Sequence, residues 1–291
     1  MRQIIRKCKW IILGIFVMFL AVCTMRKLYE DTPVEYCKNI ISCKNGYAAV
    51  FEDDWAISVV TFNDNGVIEQ KAVKLHNNPF LVKEHNYRTV FEENGDIYIM
   101  GCVYSSDSKN VQWRVEKCDF TTGTFTTEWV LAQREGYSFV SGNIPRVIDG
   151  NLYVIYQEES TKDAVTFKVT PDDKYEIVSR TSIPDGAMLE KTVYTSDGTF
   201  AITTSYGMFL GDERIYPKKK NDKCMLSGIG YTDDTVSVID INTSEMVVYS
   251  AKDKKINKTA FIMGEYSKYQ SVRINSDKSI TCSYEDGENL Y

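Results

Sequence analysis

Carboxylates come in short runs along this chain, at Glu52-Asp53-Asp54, Asp107, Glu158-Glu159 and Glu285-Asp286, with His76, Asn78 and Tyr137 in segments that connect repeated units. Acids, amides and aromatic rings brought onto one surface could hold a hard cation such as calcium, a sugar or a peptide. Two carboxyls roughly 5–10 Å apart could also serve as acid and base in glycoside hydrolysis. The spacings of the common catalytic motifs are missing: the chain has no Gly-x-Ser-x-Gly, no Gly-x-x-x-x-Gly-Lys, no His-Glu-x-x-His and no twelve-residue calcium loop. With His76 and His85 as the two histidines and no Cys-x-x-Cys pair among eight cysteines, the residue set does not suit zinc. Acidic residues also solvate ordinary exposed turns, so these carry chemistry only if one scaffold gathers them.

That scaffold is legible in residues 87–131. Asn94-Gly95 and Thr121-Thr122-Gly123 separate runs of alternating apolar residues, and Asn-Gly supplies the positive φ that a tight hairpin turn needs. The spacing predicts four antiparallel strands over 87–92, 96–104, 111–120 and 124–131. A lone meander has two open faces and must pack against copies of itself. The copies are present. The first turn recurs at Asn45-Gly46, Asn94-Gly95, Asp149-Gly150, Asp197-Gly198, Asp233-Asp234 and Asp277-Lys278, at successive spacings of 49, 55, 48, 36 and 44 residues. A later turn follows at 63–66, 121–123, 171–174, 211–212 and 252–254, with 240–244 as an alternative in the fifth copy. Periods near 40–50 residues with four strands each predict an all-β fold, a propeller of about six four-stranded antiparallel blades. The copies resemble blades of the β-propeller superfamily that includes the YWTD-type, quinoprotein-like and WD-repeat propellers. Asp119-Phe120-Thr121-Thr122-Gly123 followed by Trp129 is similar to a quinoprotein blade end, with the Trp two positions late. The resemblance implies architecture alone and no cofactor.

In such a ring the second-to-third loops and the connections between blades share one rim. That rim gathers Glu52, Asp53, Asp54, His76, Asn78, Asp107, Tyr137, Glu158, Glu159, Glu285 and Asp286 as candidate ligand-binding residues, with calcium as a candidate ion. Lys218-Lys219-Lys220 reads as a solvated loop. The sixth copy lacks a fourth strand, and Thr32 to Tyr36 is predicted to supply it unless further strands follow Tyr291.

The opening residues address location. Arg2, Arg6, Lys7 and Lys9 precede sixteen uncharged residues that run from Trp10 to Met25. A sequence apolar all round, flanked by positive charge on the first side, predicts a cytoplasmic segment 1–9, a transmembrane signal-anchor 10–25, a linker 26–32 and an extracytoplasmic propeller 33–291. Leu20-Ala21-Val22-Cys23 also resembles a bacterial lipobox, and cleavage after Cys23 is a further alternative. Four of the 34 basic residues and none of the 40 acids precede residue 26, so the body carries 30 against 40, a net charge of −10 and no nucleic-acid footprint. Cys102 and Cys118 fall on neighbouring predicted strands, where a disulfide and buried thiols are both open. Three function classes follow. One is a membrane-anchored module that binds a protein, peptide or glycan at the rim; another is a surface or secreted carbohydrate-active enzyme using the rim carboxylates; the third is a subunit of a surface assembly in which the propeller is purely structural.

Overall fold

The computed structural model describes residues 37–43, 46–52, 56–63, 65–75, 85–104, 111–140, 142–219, 222–232, 234–260, 268–274, 280–286 and 289–290. The expected anchor at 10–25, the linker and the spare strand at 32–36 lie outside them. Among the described residues no helix is long and apolar enough to cross a membrane.

The strands pair in sequence order, because each tight turn returns the chain beside the strand just laid down. The first sheet is β1 (Cys37–Cys43), β2 (Gly46–Glu52), β3 (Ala56–Phe62) and β4 (Ile68–Leu75). The second is β5 (His85–Glu93), β6 (Asp96–Tyr104), β7 (Val111–Asp119) and β8 (Thr124–Leu131). In its first hairpin Asn94 and Gly95 have φ of 55° and 85°, as a two-residue turn requires.

The third inner strand is broken into β9 (Tyr137–Phe139), β10 (Gly142–Ile144) and β11 (Arg146–Ile148), ahead of β12 (Asn151–Glu158), β13 (Ala164–Val169) and β14 (Tyr175–Thr181). β9 pairs with one end of β12 and β11 with the other. Between them β10 leaves to run parallel with β15 (Leu189–Thr195), the inner strand of the fourth sheet. Pro145, which has no N–H to give a ladder, marks the return. Gly142 permits the approach, since a Cβ there would lie 2.0 Å from the Glu190 carbonyl oxygen.

The fourth sheet continues with β16 (Gly198–Thr203), β17 (Gly207–Leu210) and β18 (Glu213–Tyr216). The fifth is β19 (Leu226–Thr232), β20 (Thr235–Asp240), β21 (Glu245–Ser250) and β22 (Lys255–Ala260). Last come β23 (Lys268–Ile274), β24 (Ile280–Asp286) and β25 (Asn289–Leu290), a three-stranded sheet. Its first strand lies beside both β19 and β1, which brings the last sheet back to the first. The fold is a β-propeller. It has five complete blades where the sequence predicts six four-stranded ones, because the sixth copy shows three strands among the described residues.

Each apolar cluster lies between consecutive blades. Val50, Ile57 and Val59 of the first pack on Val90, Ile97 and Ile99 of the second, and Tyr98, Met100 and Trp129 of the second pack on Leu152, Val154 and Phe167 of the third. Ile155 and Ala164 meet Ala201 and Phe209, and Phe200 and Met208 meet Val236 and Val247. Middle strands therefore bury both faces while outer strands stay wet: every residue of β13 but Lys168 is buried, and every residue of β22 but Ile256 is exposed. Burying such a side chain contributes about 1.5–3 kcal/mol, so stacking rather than any single ribbon supplies the stability.

A recurring clasp joins the outer edges. The third-to-fourth turn of one blade bonds to the outer strand, or the residues just after it, of the blade before. Val73 N–H donates to the Gly123 carbonyl (2.9 Å), Ala132 N–H to Asp173 Oδ2 (3.2 Å) and Ser182 N–H to the Gly211 carbonyl (2.9 Å). At the second of these, Arg134 pairs with Asp173 at 2.8 Å and lies 3.7 Å over the Tyr175 ring.

The disulfide expected as one option between Cys102 and Cys118 does not form. Register sets Cys102 opposite Trp113 and Cys118 opposite Phe125, so the two thiols are several pairs apart along the ladder. Both are buried thiols, as are Cys43 and Cys224.

Candidate functional site

Of the rim residues expected from sequence, Tyr137, Glu158 and Glu159 have described side chains. Glu52, Glu285 and Asp286 sit at or near the ends of β2 and β24, and nothing is described of their side chains; Asp53, Asp54, His76, Asn78 and Asp107 lie outside the described residues. The predicted sharing of one rim holds in the third blade, where Glu159 N–H donates to the Gly136 carbonyl at 2.9 Å, joining a second-to-third loop to a blade connection.

Tyr137 and Glu158 come together, the phenol donating to Glu158 Oε1 at 3.2 Å. Arg180 Nη1 and the Thr161 hydroxyl donate to Glu158 Oε2 at 2.5 and 2.6 Å. The Arg180 hydrogen bond, then that of Thr161, lowers the Glu158 carboxyl to about 2. Burial, then the Glu158 carboxylate, raises the Tyr137 phenol. This carboxylate is thus ionised and already supplied with donors. Among the described residues no three His, Cys, Asp or Glu side chains gather to hold a metal ion.

A denser polar cluster forms at the opposite end of the inner strands, where the first-to-second turns meet the axis. Arg146, the first residue of β11, reaches across four blades. Its Nε bonds to Glu93 Oε2 and its Nη2 lies 3.0 Å from Glu93 Oε1, at the end of β5. Nη1 donates to the Tyr194 carbonyl at 3.1 Å and to the Tyr231 hydroxyl, and the guanidinium lies 4.2 Å over the Tyr231 ring. Burial is the largest single influence on Arg146 and opposes its charge, yet the Glu93 hydrogen bond together with the fields of Tyr231, Glu93 and Asp234 overcomes it, and the guanidinium pKa is raised.

Asp234 completes the ring. It accepts from Ser196 N–H at 3.0 Å, from the Ser196 hydroxyl and from the Tyr231 hydroxyl at 3.1 Å. Burial pulls its pKa up, but the Ser196 donors with Tyr231 and Arg146 leave it below the usual carboxylate value. Burial raises the Tyr194 phenol, followed by its neighbour Tyr153, with which it stacks at 4.9 Å and 14°.

These side chains border a cavity of about 510 Å³ lined by Arg146, Tyr153, Tyr194, Ser196, Tyr231 and Asp234 among others. Three aromatic rings and several hydroxyls, with one guanidinium against the carboxylates Glu93 and Asp234, form a surface able to donate to and accept from a polyhydroxylated ligand while presenting ring faces. Sequence reasoning misses this site. Arg146 stands in an unremarkable Pro-Arg-Val, and its partners lie 48 to 85 residues away from it. The signal within reach was positional: Glu93, Tyr194 and Tyr231 all precede a first turn by one to three residues.

No family model matches the chain, and no curated protein matches it in sequence. Solved structures are similar in fold. A protein from Lactobacillus plantarum is 11% identical over 89% of this chain and 84% of its own, with a TM-score of 0.50. The Dos1 propeller is 9% identical over 87% of this chain at a TM-score of 0.44, and this chain spans 66% of its length. A chain of the Nidogen/Laminin complex is 10% identical over 78% of this chain and 81% of its own, with a TM-score of 0.42. At such identities the likeness is one of fold.

Proposed function

We propose that this protein is a membrane-anchored, exported binding module that takes a short glycan or similar polyhydroxylated ligand at the axial mouth around Arg146. The observation that carries the reading is the set of three tyrosines, one arginine and one ionised aspartate bordering a cavity of about 510 Å³. The anchoring half rests on sequence: residues 10–25 would sit in the cell membrane, with 1–9 in the cytoplasm and the propeller outside.

Binding is favoured over hydrolysis by acidity. A glycosidase needs one carboxyl whose pKa is raised so that it can protonate the leaving group. Among the described residues the perturbed carboxyls, Asp119, Glu158, Asp172, Asp234 and Glu245, are all shifted downward.

Two measurements test the reading. The full chain in neutral detergent, titrated against a glycan panel, should show a saturable rise in melting temperature that Tyr153→Ala with Tyr194→Ala removes; a shift that survives both substitutions would move the ligand elsewhere. External protease should digest the propeller of intact cells and spare a tag at the N-terminus, whereas the reverse pattern would overturn the topology.

A further inference from the structure

The junction between the fourth and fifth blades is built differently from the three before it. β17 and β18 have four residues each, against six to nine in the third and fourth strands of the other complete blades. The turn at 251–254 makes no hydrogen bond to β18 among the described residues, so the clasp seen at the other three junctions is missing here. Two side-chain bonds cross the junction instead. Tyr216 donates its hydroxyl to Asp240 Oδ2 at 2.6 Å, and Tyr249 donates to Asp197 Oδ2 at 2.7 Å. Outside them a cleft of about 1040 Å³ opens between the blades.

Lysines line it from both sides: Lys218 and Lys223 from the connection that follows the fourth blade, Lys254, Lys255 and Lys258 from the fifth blade. Against these stand Asp197, Glu213 and Asp222. The excess of positive charge is local, on a body whose net charge is −10. Lys218 pairs with Glu213 at 2.9 Å and Lys254 with Asp197 at 3.6 Å, with the lysine side chains 67% and 76% exposed. Pairs that wet contribute little and exchange readily for another anion. Lys258 is held by Glu245 at 2.8 Å and lies 4.8 Å over the Tyr216 ring. Lys223 and Lys255 are exposed and have no carboxylate partner among the described residues.

We propose that this cleft is a second ligand site, which takes a linear polyanion bearing phosphate or sulfate groups at intervals along a chain. A single small anion would engage one pair of lysines and leave the opposite wall unused. A flat anionic bilayer would meet only the outermost amines. A chain laid along the cleft meets both walls, releases counterions from several lysines at once and displaces the weak Glu213 and Asp197 pairings. Tyr216 and Tyr249 are buried with their hydroxyls committed, so the site selects charge rather than sugar rings.

The test is calorimetric titration of the full chain in neutral detergent with long-chain polyphosphate, beside vesicles of anionic phospholipid. The expected result is saturable polyphosphate binding that weakens on the order of tenfold between 50 and 200 mM salt by counterion release. Lys223→Glu with Lys255→Glu should lower that affinity at least about tenfold by charge repulsion, with an unchanged circular dichroism spectrum and melting temperature. Lys162→Glu with Lys174→Glu, equally exposed but on the third blade, should leave it unaltered. Polyphosphate affinity that ignores the cleft variant would place the binding on the basic residues 2–9 and overturn the proposal. So would an equal loss in the third-blade variant, no binding, or vesicle binding that depends on Lys223 and Lys255.

Discussion

Arg146 of the third blade and Glu93 of the second form a two-pronged ion pair whose side chains are 13% and 12% exposed. At that depth neither charge can be left alone cheaply. Arg146→Met should cost about 3 kcal/mol or more in urea denaturation, because it strands a carboxylate away from water and removes the bonds to Tyr194 and Tyr231. Arg146→Met with Glu93→Leu should cost less than the two single changes added together. Additive costs would show that the pair is not coupled.

Glu158 gives stability an acid-sensitive component. Its folded pKa of about 2 lies below the ordinary 4.5, so the Arg180 pairing stabilises the fold above pH 4.5 and loses that contribution as pH falls toward 2. Wild type should therefore exceed Glu158→Gln in stability at pH 6, with the gap narrowing steadily on acidification. A gap that stays constant from pH 6 to pH 2.5 would refute the assignment.

The cysteines should be silent in the native state. Burial pushes the Cys118 thiol strongly up, with Glu116 adding to it, and pushes Cys224 up to about 11. Alkylation by iodoacetamide, followed by peptide mapping, should leave Cys43, Cys102, Cys118 and Cys224 unmodified until denaturant is added. Recovery of a Cys102 to Cys118 crosslinked peptide would contradict the ladder register.

Gly142 and Gly207, like Gly46, hold close backbone approaches. Gly142→Ala sets a methyl 2.0 Å from the Glu190 oxygen, and Gly207→Ala sets one 1.9 Å from the Tyr216 oxygen at a φ of 111°. Each should destabilise by about 1–3 kcal/mol, visible as a lower thermal midpoint. Gly150→Ala, with open space around its Cβ, should cost less through its φ of 71° alone.

Repetition was legible because turn chemistry is local. Asn94-Gly95 and Asp149-Gly150 adopt positive φ at both positions, and the third-to-fourth turns at 170–174, 211–212 and 251–254 fall where the sequence puts them. The excursion of β10 was not, because Gly142-Asn143-Ile144-Pro145 reads as any turn until a parallel neighbour is known. Arg146 was invisible for the same reason: its worth comes from four blades converging. In the third blade the two loops do share a rim, but a run such as Glu158-Glu159 does not reveal that Arg180 already occupies one of its members.

By lending three residues to its neighbour, the third blade gives up the independence expected of a tandem array. The fourth sheet has its innermost edge written into an earlier stretch of chain, so cutting the gene between those two units would leave one fragment with a dangling segment and the other with an uncovered border. Such a protein should melt as a single cooperative body rather than shed units one by one, and inserting or deleting a repeat at that seam would break the β10–β15 pairing.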